Sequence, residues 1–241
     1  MGDTNHRRQP DKSTGQGRHS KEERGTELYP TPPALTKALL RALLGLPLDV
    51  RLPVNIWEPA SGMGHMALPL VAHGYNVRCS DVVDYGLRLT GTPHPQTVDF
   101  LQIEPHWLGK DWAIVTNPPF SLAADFVRHG LRFCPTVMIL ERLAFLESKS
   151  RADILGENLA WVLPFDRRAP MMHRWSKDEA TGAWKEWSGA KATSAMPFAW
   201  FIFKRWTDGV TRLRRITWTD DDLIDVGPNL IQSGSLIREP A

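Results

Sequence analysis

Residues 112–133 read WAIVTNPPFSLAADFVRHGLRF, and this stretch decides the fold class. A short apolar run, Trp112–Val115, predicts a buried strand, and the spacing of apolar residues from Leu122 to Phe133 predicts a helix. Between them lies Asn117-Pro118-Pro119-Phe120, at the carboxyl end of the predicted strand. Open α/β sheets bind their ligands at that end of the strands. The stretch therefore predicts an α/β fold with a functional loop at 117–120.

The 117–120 loop has the residue types that activate an aromatic amine. Such a nitrogen is a poor nucleophile because its lone pair is delocalised into the ring. Two acceptors that hold its N–H groups, the Asn117 side-chain oxygen and the Pro118 carbonyl, would free the lone pair. Pro118 and Pro119 each keep the preceding residue out of the helical region, which aims both acceptors in advance. Phe120 offers a ring for stacking. The alternative is a proline-rich turn without chemistry.

Asn-Pro-Pro-aromatic resembles motif IV of the amino-directed, S-adenosylmethionine-dependent methyltransferases, and the DNA adenine-N6 type in particular. The resemblance covers roughly residues 29–205. It implies a Rossmann-like class I methyltransferase fold, with a mostly parallel seven-stranded sheet, a reversed strand in a C-terminal hairpin and helices on both faces. It also implies S-adenosylmethionine as cofactor, no metal, and catalytic roles for Asn117, Pro118, Pro119 and Phe120, with Asn117 also contacting the cofactor. The motif order resembles the gamma arrangement, in a compact enzyme of phage or prophage type.

A glycine loop, Glu58-Pro59-Ala60-Ser61-Gly62-Met63-Gly64, follows the predicted strand Val54–Trp57. Gly-x-Gly between a strand and a helix lets a ligand approach the backbone closely. Position 67 is Ala, so the third glycine of a pyrophosphate loop is absent. The stretch resembles motif I. The resemblance implies that Glu58 holds the methionine end of the cofactor, with Ala60, Gly62 and Gly64 lining its pocket.

Three further cofactor contacts are implied by resemblance. Asp81, at the tip of the strand Tyr75–Cys79, resembles motif II and would hold the ribose; a solvated loop residue, or Asp84 in its place, is the alternative. Asp99-Phe100 resembles motif III, in which the carboxylate accepts from the adenine amino group and the ring lies along the adenine plane. Asp99 as the cap of the next turn is the alternative.

Thr31, in Tyr29-Pro30-Thr31-Pro32-Pro33, precedes a run of leucines with helical spacing that stops at Gly45. The resemblance to motif X implies that Thr31 helps to hold the methionine carboxylate of the cofactor. The alternative is a helix cap, since threonine suits the position before a helix that starts with proline.

A long segment, residues 166–197, separates two predicted apolar strands, Leu159–Leu163 and Phe198–Phe203. A loop of this length in a compact domain is usually functional, and basic residues alternating with aromatic ones suit phosphate contact and base stacking. A solvated loop whose tryptophans dock on the sheet is the alternative. Arg142 follows the strand Thr136–Leu140 and is a further substrate contact or a paired surface charge. The predicted substrate contacts are Phe120, Arg142, Arg167, Arg168, His173, Arg174 and Trp175.

The composition is that of a globular protein, with 42% hydrophobic and 23% charged residues. A formal charge of +2 permits a nucleic-acid partner without requiring one. Cys79 and Cys134 have no metal-type spacing and are expected to be buried free thiols. The chain has no apolar run of about 18 residues and no signal peptide, so a cytoplasmic protein is expected.

The expected organisation is a disordered tail over 1–25, a methyltransferase domain over 26–206 and a C-terminal extension over 207–241. The expected partner is double-stranded DNA. RNA adenine N6 or guanine N2, cytosine N4, and a protein glutamine side chain remain alternative targets. A nucleic-acid-binding module that keeps the cofactor pocket without turnover is the non-enzymatic alternative.

Overall fold

The computed structural model describes residues 30–47, 50–169, 171, 175–177, 184–186, 196–219 and 222, with 175–177 and 184–186 described by their backbone. The predicted tail over 1–25 and much of the predicted loop over 166–197 lie outside these residues.

Four α-helices and ten β-strands follow one another along the described part of the chain. The helices are α1 (Pro33–Leu44), α2 (Ala67–Ala72), α3 (Ala123–Gly130) and α4 (Ala152–Glu157). The strands are β1 (Asn55–Glu58), β2 (Asn76–Asp81), β3 (Gln96–Thr97), β4 (Trp112–Thr116), β5 (Thr136–Arg142), β6 (Leu159–Pro164), β7 (Trp175–Lys177), β8 (Trp184–Glu186), β9 (Phe198–Lys204) and β10 (Arg212–Leu213).

Eight of these strands form one sheet in the order β3-β2-β1-β4-β5-β9-β6-β10. Strand β9 runs antiparallel to both of its neighbours, and every other pair in this sheet is parallel. The predicted Rossmann-like sheet with one reversed strand is thereby confirmed. Strand β10 adds an eighth strand to the expected seven, beside β6 at the edge. Strands β7 and β8 form a separate antiparallel pair.

The two faces of the sheet carry two apolar clusters, because successive side chains of a strand point to opposite faces. On β9, Trp200 and Ile202 belong to the cluster covered by α1 and α2. Phe201 and Phe203 belong to the cluster covered by α3 and α4. Each such buried side chain contributes about 1.5–3 kcal/mol to folding. Helices on both faces are thus confirmed.

Helix α1 is fixed to the sheet by packing and by one buried hydrogen bond. The Trp200 indole N–H donates to the Leu35 carbonyl oxygen at 3.0 Å. The N-cap position is Pro32, and the helix has no side-chain cap hydrogen bond. The cap role considered for Thr31 is therefore wrong, since its hydroxyl faces another partner, described below.

Residues beyond 206 also contribute to this domain. Ile216 bridges to Phe165, and Ile216 and Trp218 are buried in the cluster beneath α1. The Asp222 carboxylate accepts from the Arg41 guanidinium on α1. The part of the predicted extension that is described thus packs on the sheet and on α1. Among the described helices, none has the length and apolar character that crossing a membrane requires.

Candidate active site

The carboxyl ends of the parallel strands bring the predicted site residues to one edge of the sheet. Strands β2, β1, β4 and β5 end next to one another, and β9 begins at the same edge because Phe198 pairs with Arg142. Along this edge the order is Asp81, Glu58, Asn117, Arg142 and Phe198, followed by the end of β6. The row divides into a half around the glycine loop and a half beyond Phe120.

The glycine loop needs its glycines for two different reasons. Gly62 and Gly64 have φ values of 50° and 83°, which L side chains rarely adopt. A Cβ on Gly64 would also lie 2.5 Å from the Leu87 Cδ1 atom. The loop is held to the end of β2 by the Gly62 amide, which donates to the Asp81 carboxylate at 2.8 Å.

Asp81 is the acidic residue that contacts this loop. Its second oxygen accepts from the Val83 amide at 3.1 Å. Burial raises the pKa of the Asp81 carboxyl, and hydrogen bonds from the loop amides offset part of that rise. Asp84, the alternative, is exposed and accepts from the Gly86 amide, away from the loop. The geometry therefore favours Asp81 over Asp84 as the site residue.

Glu58 is the residue whose environment most requires a ligand. Its side chain is 2% exposed, and its Oε2 atom has no hydrogen-bond partner in the described structure. Burial, and then the negative charge of Asp81, raises the pKa of the Glu58 carboxyl well above its ordinary value. A hydrogen bond from the Ala67 backbone offsets part of that rise, but a buried carboxylate whose other oxygen is unpartnered still costs several kcal/mol. A cationic group that donates hydrogen bonds would relieve this cost.

The pocket beside Glu58 is small. Thr31, Ala60, Gly62 and Asn117 are among the residues that line it, and its volume is about 20 Å³. That volume is comparable with one water molecule. In this conformation the pocket suits a small terminal group of a ligand, such as an amino group.

The 117–120 loop closes this pocket on the side of β4. The Asn117 Nδ2 atom donates to the Thr31 Oγ1 atom at 3.0 Å. The Pro119 carbonyl accepts from the Leu122 amide at 2.9 Å, which leads into α3. The segment that leads into α1 and the loop that follows β4 are distant in sequence, and this side-chain hydrogen bond joins them.

Phe120 has a cation on its ring face. The Arg142 guanidinium carbon lies 4.2 Å from the centre of the Phe120 ring, and the Phe198 ring lies 5.9 Å away at an interplanar angle of 47°. The Arg142 Nε atom is buried without a hydrogen-bond partner in the described structure. The Arg142 guanidinium therefore lies on the Phe120 ring, where a base is predicted to stack.

Beyond Phe198 the edge opens into a cavity of about 310 Å³, which Phe165, Arg167, Arg168 and Phe198 help to line. The Arg167 guanidinium lies 3.5 Å over the Trp218 ring. Arg168 is exposed. Both predicted arginines thus lie at the edge that carries Asn117. His173 and Arg174 lie outside the described residues, and for Trp175 the backbone alone is described, in β7.

The predicted role of Phe100 does not fit the structure. The Phe100 ring is 2% exposed and packs edge-on against Trp57 at 5.1 Å, with Phe126 and Phe133 around it. A ring buried in this cluster is not available to lie along an adenine. Asp99 is exposed and accepts from the Leu101 amide at 3.0 Å, so it caps the following turn.

Two contributors to the site were not found from the sequence. Phe198 is visible there as the start of an apolar strand, yet its contact with Phe120 depends on β9 lying beside β5. Ser61 has a buried hydroxyl without a hydrogen-bond partner in the described structure, in the same pocket as Glu58. Among the described residues, no cluster of three or more His, Cys, Asp or Glu side chains forms a metal site.

No family model matches the chain, and no curated protein matches it in sequence. Solved structures do match. The type I restriction-modification methyltransferase subunit from Streptococcus thermophilus has a TM-score of 0.53 and 10% identity over 80% of this chain and 50% of that chain. This chain thus spans half the length of that subunit. At this identity the likeness shows a shared fold.

Two other solved methyltransferases have lower scores. The 23S rRNA methyltransferase ErmE has a TM-score of 0.46 and 16% identity, covering 72% of this chain and 69% of that chain. The magnesium protoporphyrin IX methyltransferase from Synechocystis PCC 6803, solved with S-adenosylmethionine, has a TM-score of 0.43 and 14% identity, covering 79% and 86%.

Proposed function

We propose that this chain transfers a methyl group from S-adenosylmethionine to an exocyclic amino group of a nucleic-acid base, with adenine N6 in double-stranded DNA as the target. The observation that carries the proposal is the position of Asn117-Pro118-Pro119-Phe120. The loop follows β4 directly and lines the same pocket as the buried, unpartnered Glu58 oxygen.

The cofactor half of the edge fits S-adenosylmethionine by the chemistry of its donors and acceptors. Glu58 would hold the amino group of the methionine part, since a buried carboxylate needs a cationic donor. Asp81 would accept from the ribose hydroxyls, and the backbone at Ala60, Gly62 and Gly64 leaves room for close approach. Asp99 would still accept from the adenine amino group of the cofactor, but Phe100 would not contact the adenine. The cofactor supplies an electrophilic methyl group on a sulfonium.

The catalytic loop would prepare the target nitrogen. The Asn117 oxygen and the Pro118 carbonyl accept its two N–H groups, so that the lone pair is released from the ring. The Pro119 carbonyl is engaged by the Leu122 amide, which leaves Pro118 as the backbone acceptor of the pair. The methylated nitrogen is acidic enough to lose its proton to water, and neither a strong base nor a metal is needed.

The substrate half of the edge fits a flipped base and its phosphates. A base taken out of the duplex would stack on Phe120, in the position that Arg142 now shares. The cavity beside Phe198 has the volume of a small ligand site, and Arg167 and Arg168 bring positive charge to it. His173, Arg174 and Trp175 remain proposed contacts of the same segment.

The test is methyl transfer from labelled cofactor to unmethylated genomic DNA and, separately, to total RNA and to total protein, with the nucleic acids then digested to nucleosides. We expect N6-methyladenine from DNA, and loss of the product with Asn117→Ala. Asn76→Ala is the matched control, since Asn76 is exposed at the amino end of β2, on the opposite edge of the sheet.

Each other outcome selects an alternative. Label in RNA alone keeps the chemistry and changes the substrate. Label in protein alone indicates a glutamine side chain as the acceptor. Cofactor binding without label in any of the three would identify a binding module and would contradict the proposal.

A further inference from the structure

The hydroxyl of Thr31 contacts the amide of Asn117, and this contact assigns Thr31 a role of its own. Thr31 is 4% exposed, and its Oγ1 atom accepts from Asn117 Nδ2 at 3.0 Å. The two residues are 86 positions apart in the chain. The hydroxyl makes no helix cap, because Pro32 takes the N-cap position of α1.

The two ends of an asparagine amide are chemically opposite. The oxygen accepts hydrogen bonds and the nitrogen donates them. An amide that turned its nitrogen toward the target amine would face one donor with another. By accepting from Nδ2, the Thr31 hydroxyl holds the nitrogen end of the amide on its own side. The amide oxygen then lies on the side of the amide group that faces away from the Thr31 hydroxyl.

Thr31 is itself held rigidly. Pro30 and Pro32 flank it, and the proline that follows keeps Thr31 in an extended conformation. Helix α1 begins directly afterwards and is anchored by the hydrogen bond from Trp200 to the Leu35 carbonyl. The hydroxyl therefore has a defined position relative to β4.

We propose that Thr31 is a positioning residue for Asn117, which selects the amide orientation that presents the oxygen to the target amino group. This proposal rests on the proposed function. It differs from the role that the resemblance implies, in which Thr31 contacts the methionine carboxylate of the cofactor. The two roles predict different kinetic behaviour.

The experiment compares Thr31→Val, Thr31→Ser, Asn117→Ala and the double variant Thr31→Val/Asn117→Ala in the full chain. Thr31→Val keeps the shape and removes the hydroxyl, whereas Thr31→Ser keeps the hydroxyl. Thr36→Val is the matched control. Thr36 lies on α1 and is buried, as Thr31 is, but its hydroxyl has no hydrogen-bond partner in the described structure. Methyl transfer gives kcat and KM, and calorimetry gives the Kd for the cofactor.

We expect Thr31→Val to lower kcat about 10- to 100-fold, as misplacement of a catalytic group does, with the cofactor Kd unchanged. Thr31→Ser should recover most of kcat. The double variant should be no slower than Asn117→Ala, because the two losses are not additive within one unit. Thr36→Val should leave kcat unchanged.

Three outcomes would overturn the proposal. A higher cofactor Kd with unchanged kcat would return Thr31 to the carboxylate role. Additive losses of kcat would show that Thr31 and Asn117 act independently. A kcat raised by Thr31→Val would mean that the hydroxyl donates to the Asn117 amide oxygen and so blocks it. Melting temperatures identify an unfolded variant, in which case Thr31→Ala replaces Thr31→Val. A wild-type chain without transferase activity is a separate result, since it refutes the proposed function before any variant is compared.

Discussion

The two halves of the carboxyl edge are built in different ways. Around the glycine loop, Glu58 and Thr31 are almost fully buried, and the Asp81 carboxylate is bonded to backbone amides. Beyond Phe120, arginine side chains lie on aromatic rings beside an open cavity. The first half suits one ligand of fixed shape, whereas the second suits a flexible polyanion that is held by charge and stacking. The predictions below test this difference, from the largest expected effect to the smallest.

The largest effect is expected from Gly64→Ala in the glycine loop. Its backbone φ is 83°, and an added Cβ would meet the Leu87 side chain. We expect a loss of about 3 kcal/mol in the free energy of unfolding, the sum of the left-handed backbone cost and of overpacking. Urea denaturation measures it.

Gly74→Ala is a matched control for the backbone term. Its φ is 84°, and a Cβ there would have no atom within 4 Å. We expect a loss of about 1 kcal/mol from the conformation alone. Equal losses for the two variants would show that the loop is not tightly packed around Gly64.

The second prediction concerns the charge of Glu58. Glu58→Gln should weaken cofactor binding about 10- to 100-fold, because a hydrogen bond to a charged group is lost. Glu141→Gln is the control, since Glu141 is also a buried acid at a strand end but does not line the pocket. Calorimetry measures both. Unchanged affinity in Glu58→Gln would remove Glu58 from the cofactor site.

The same variant should have the opposite effect on the stability of the unliganded protein. The folded pKa of Glu58 is raised above its ordinary value of 4.5. Below that pH the carboxyl is neutral in both states and carries no penalty. As the pH rises toward the folded pKa, the unfolded state releases its proton first and stability falls. Wild type should therefore lose stability relative to Glu58→Gln above pH 4.5, whereas parallel curves would contradict the raised pKa.

The third prediction concerns the half of the edge beyond Phe120. Arg142→Ala removes a guanidinium that could contact the stacked base, and we expect nucleic-acid affinity to fall about two- to fivefold, in line with ~0.5–1 kcal/mol for an arginine–base cation–π contact. Arg151→Ala is the control, because Arg151 lies over Phe145 at 4.5 Å, away from the proposed site. A tighter complex in Arg142→Ala would indicate that Arg142 competes with the base.

The smallest effect is expected from Arg168→Ala. If Arg168 contacts one phosphate, the slope of log affinity against log salt should decrease by about 0.9. Arg132→Ala serves as control, since Arg132 is exposed just beyond the end of α3, far from the 117–120 loop along the helix. An unchanged slope for Arg168→Ala would place the phosphates elsewhere.

The sequence predicts the fold well because its strands and turns are local patterns. The apolar runs at β1, β4, β5 and β9, each ending in a polar residue or a glycine-rich loop, suffice for an α/β sheet. Strand β10 is harder to predict, since two residues have no periodicity and pair with β6 only once the sheet exists. Glu58 and Asp81 are predicted as cofactor contacts by resemblance to motifs I and II, and the parallel sheet brings both strand tips to one edge.

The remainder of the site depends on distant contacts. Phe100 fits a cofactor motif in sequence, but Trp57, Phe126 and Phe133 create a cluster that buries its ring. The pairing of Arg142 with Phe120 requires β5 to lie beside β4, which no local pattern reveals. From the sequence Thr31 is predicted to contact the cofactor or, alternatively, to cap a helix, and nothing near it indicates that Asn117 will be its partner.

The hydrogen bond from Trp200 to Leu35 joins residues that are 165 positions apart, and this separation has a consequence for synthesis. Helix α1 leaves the ribosome well before the reversed strand on which it docks. Contacts of such long range form slowly and late in folding. A nascent chain that already contains the glycine loop and the Asn117 loop therefore has Thr31 unanchored. The contact between Thr31 and Asn117 is therefore completed only after residue 200 has been synthesised and can pair.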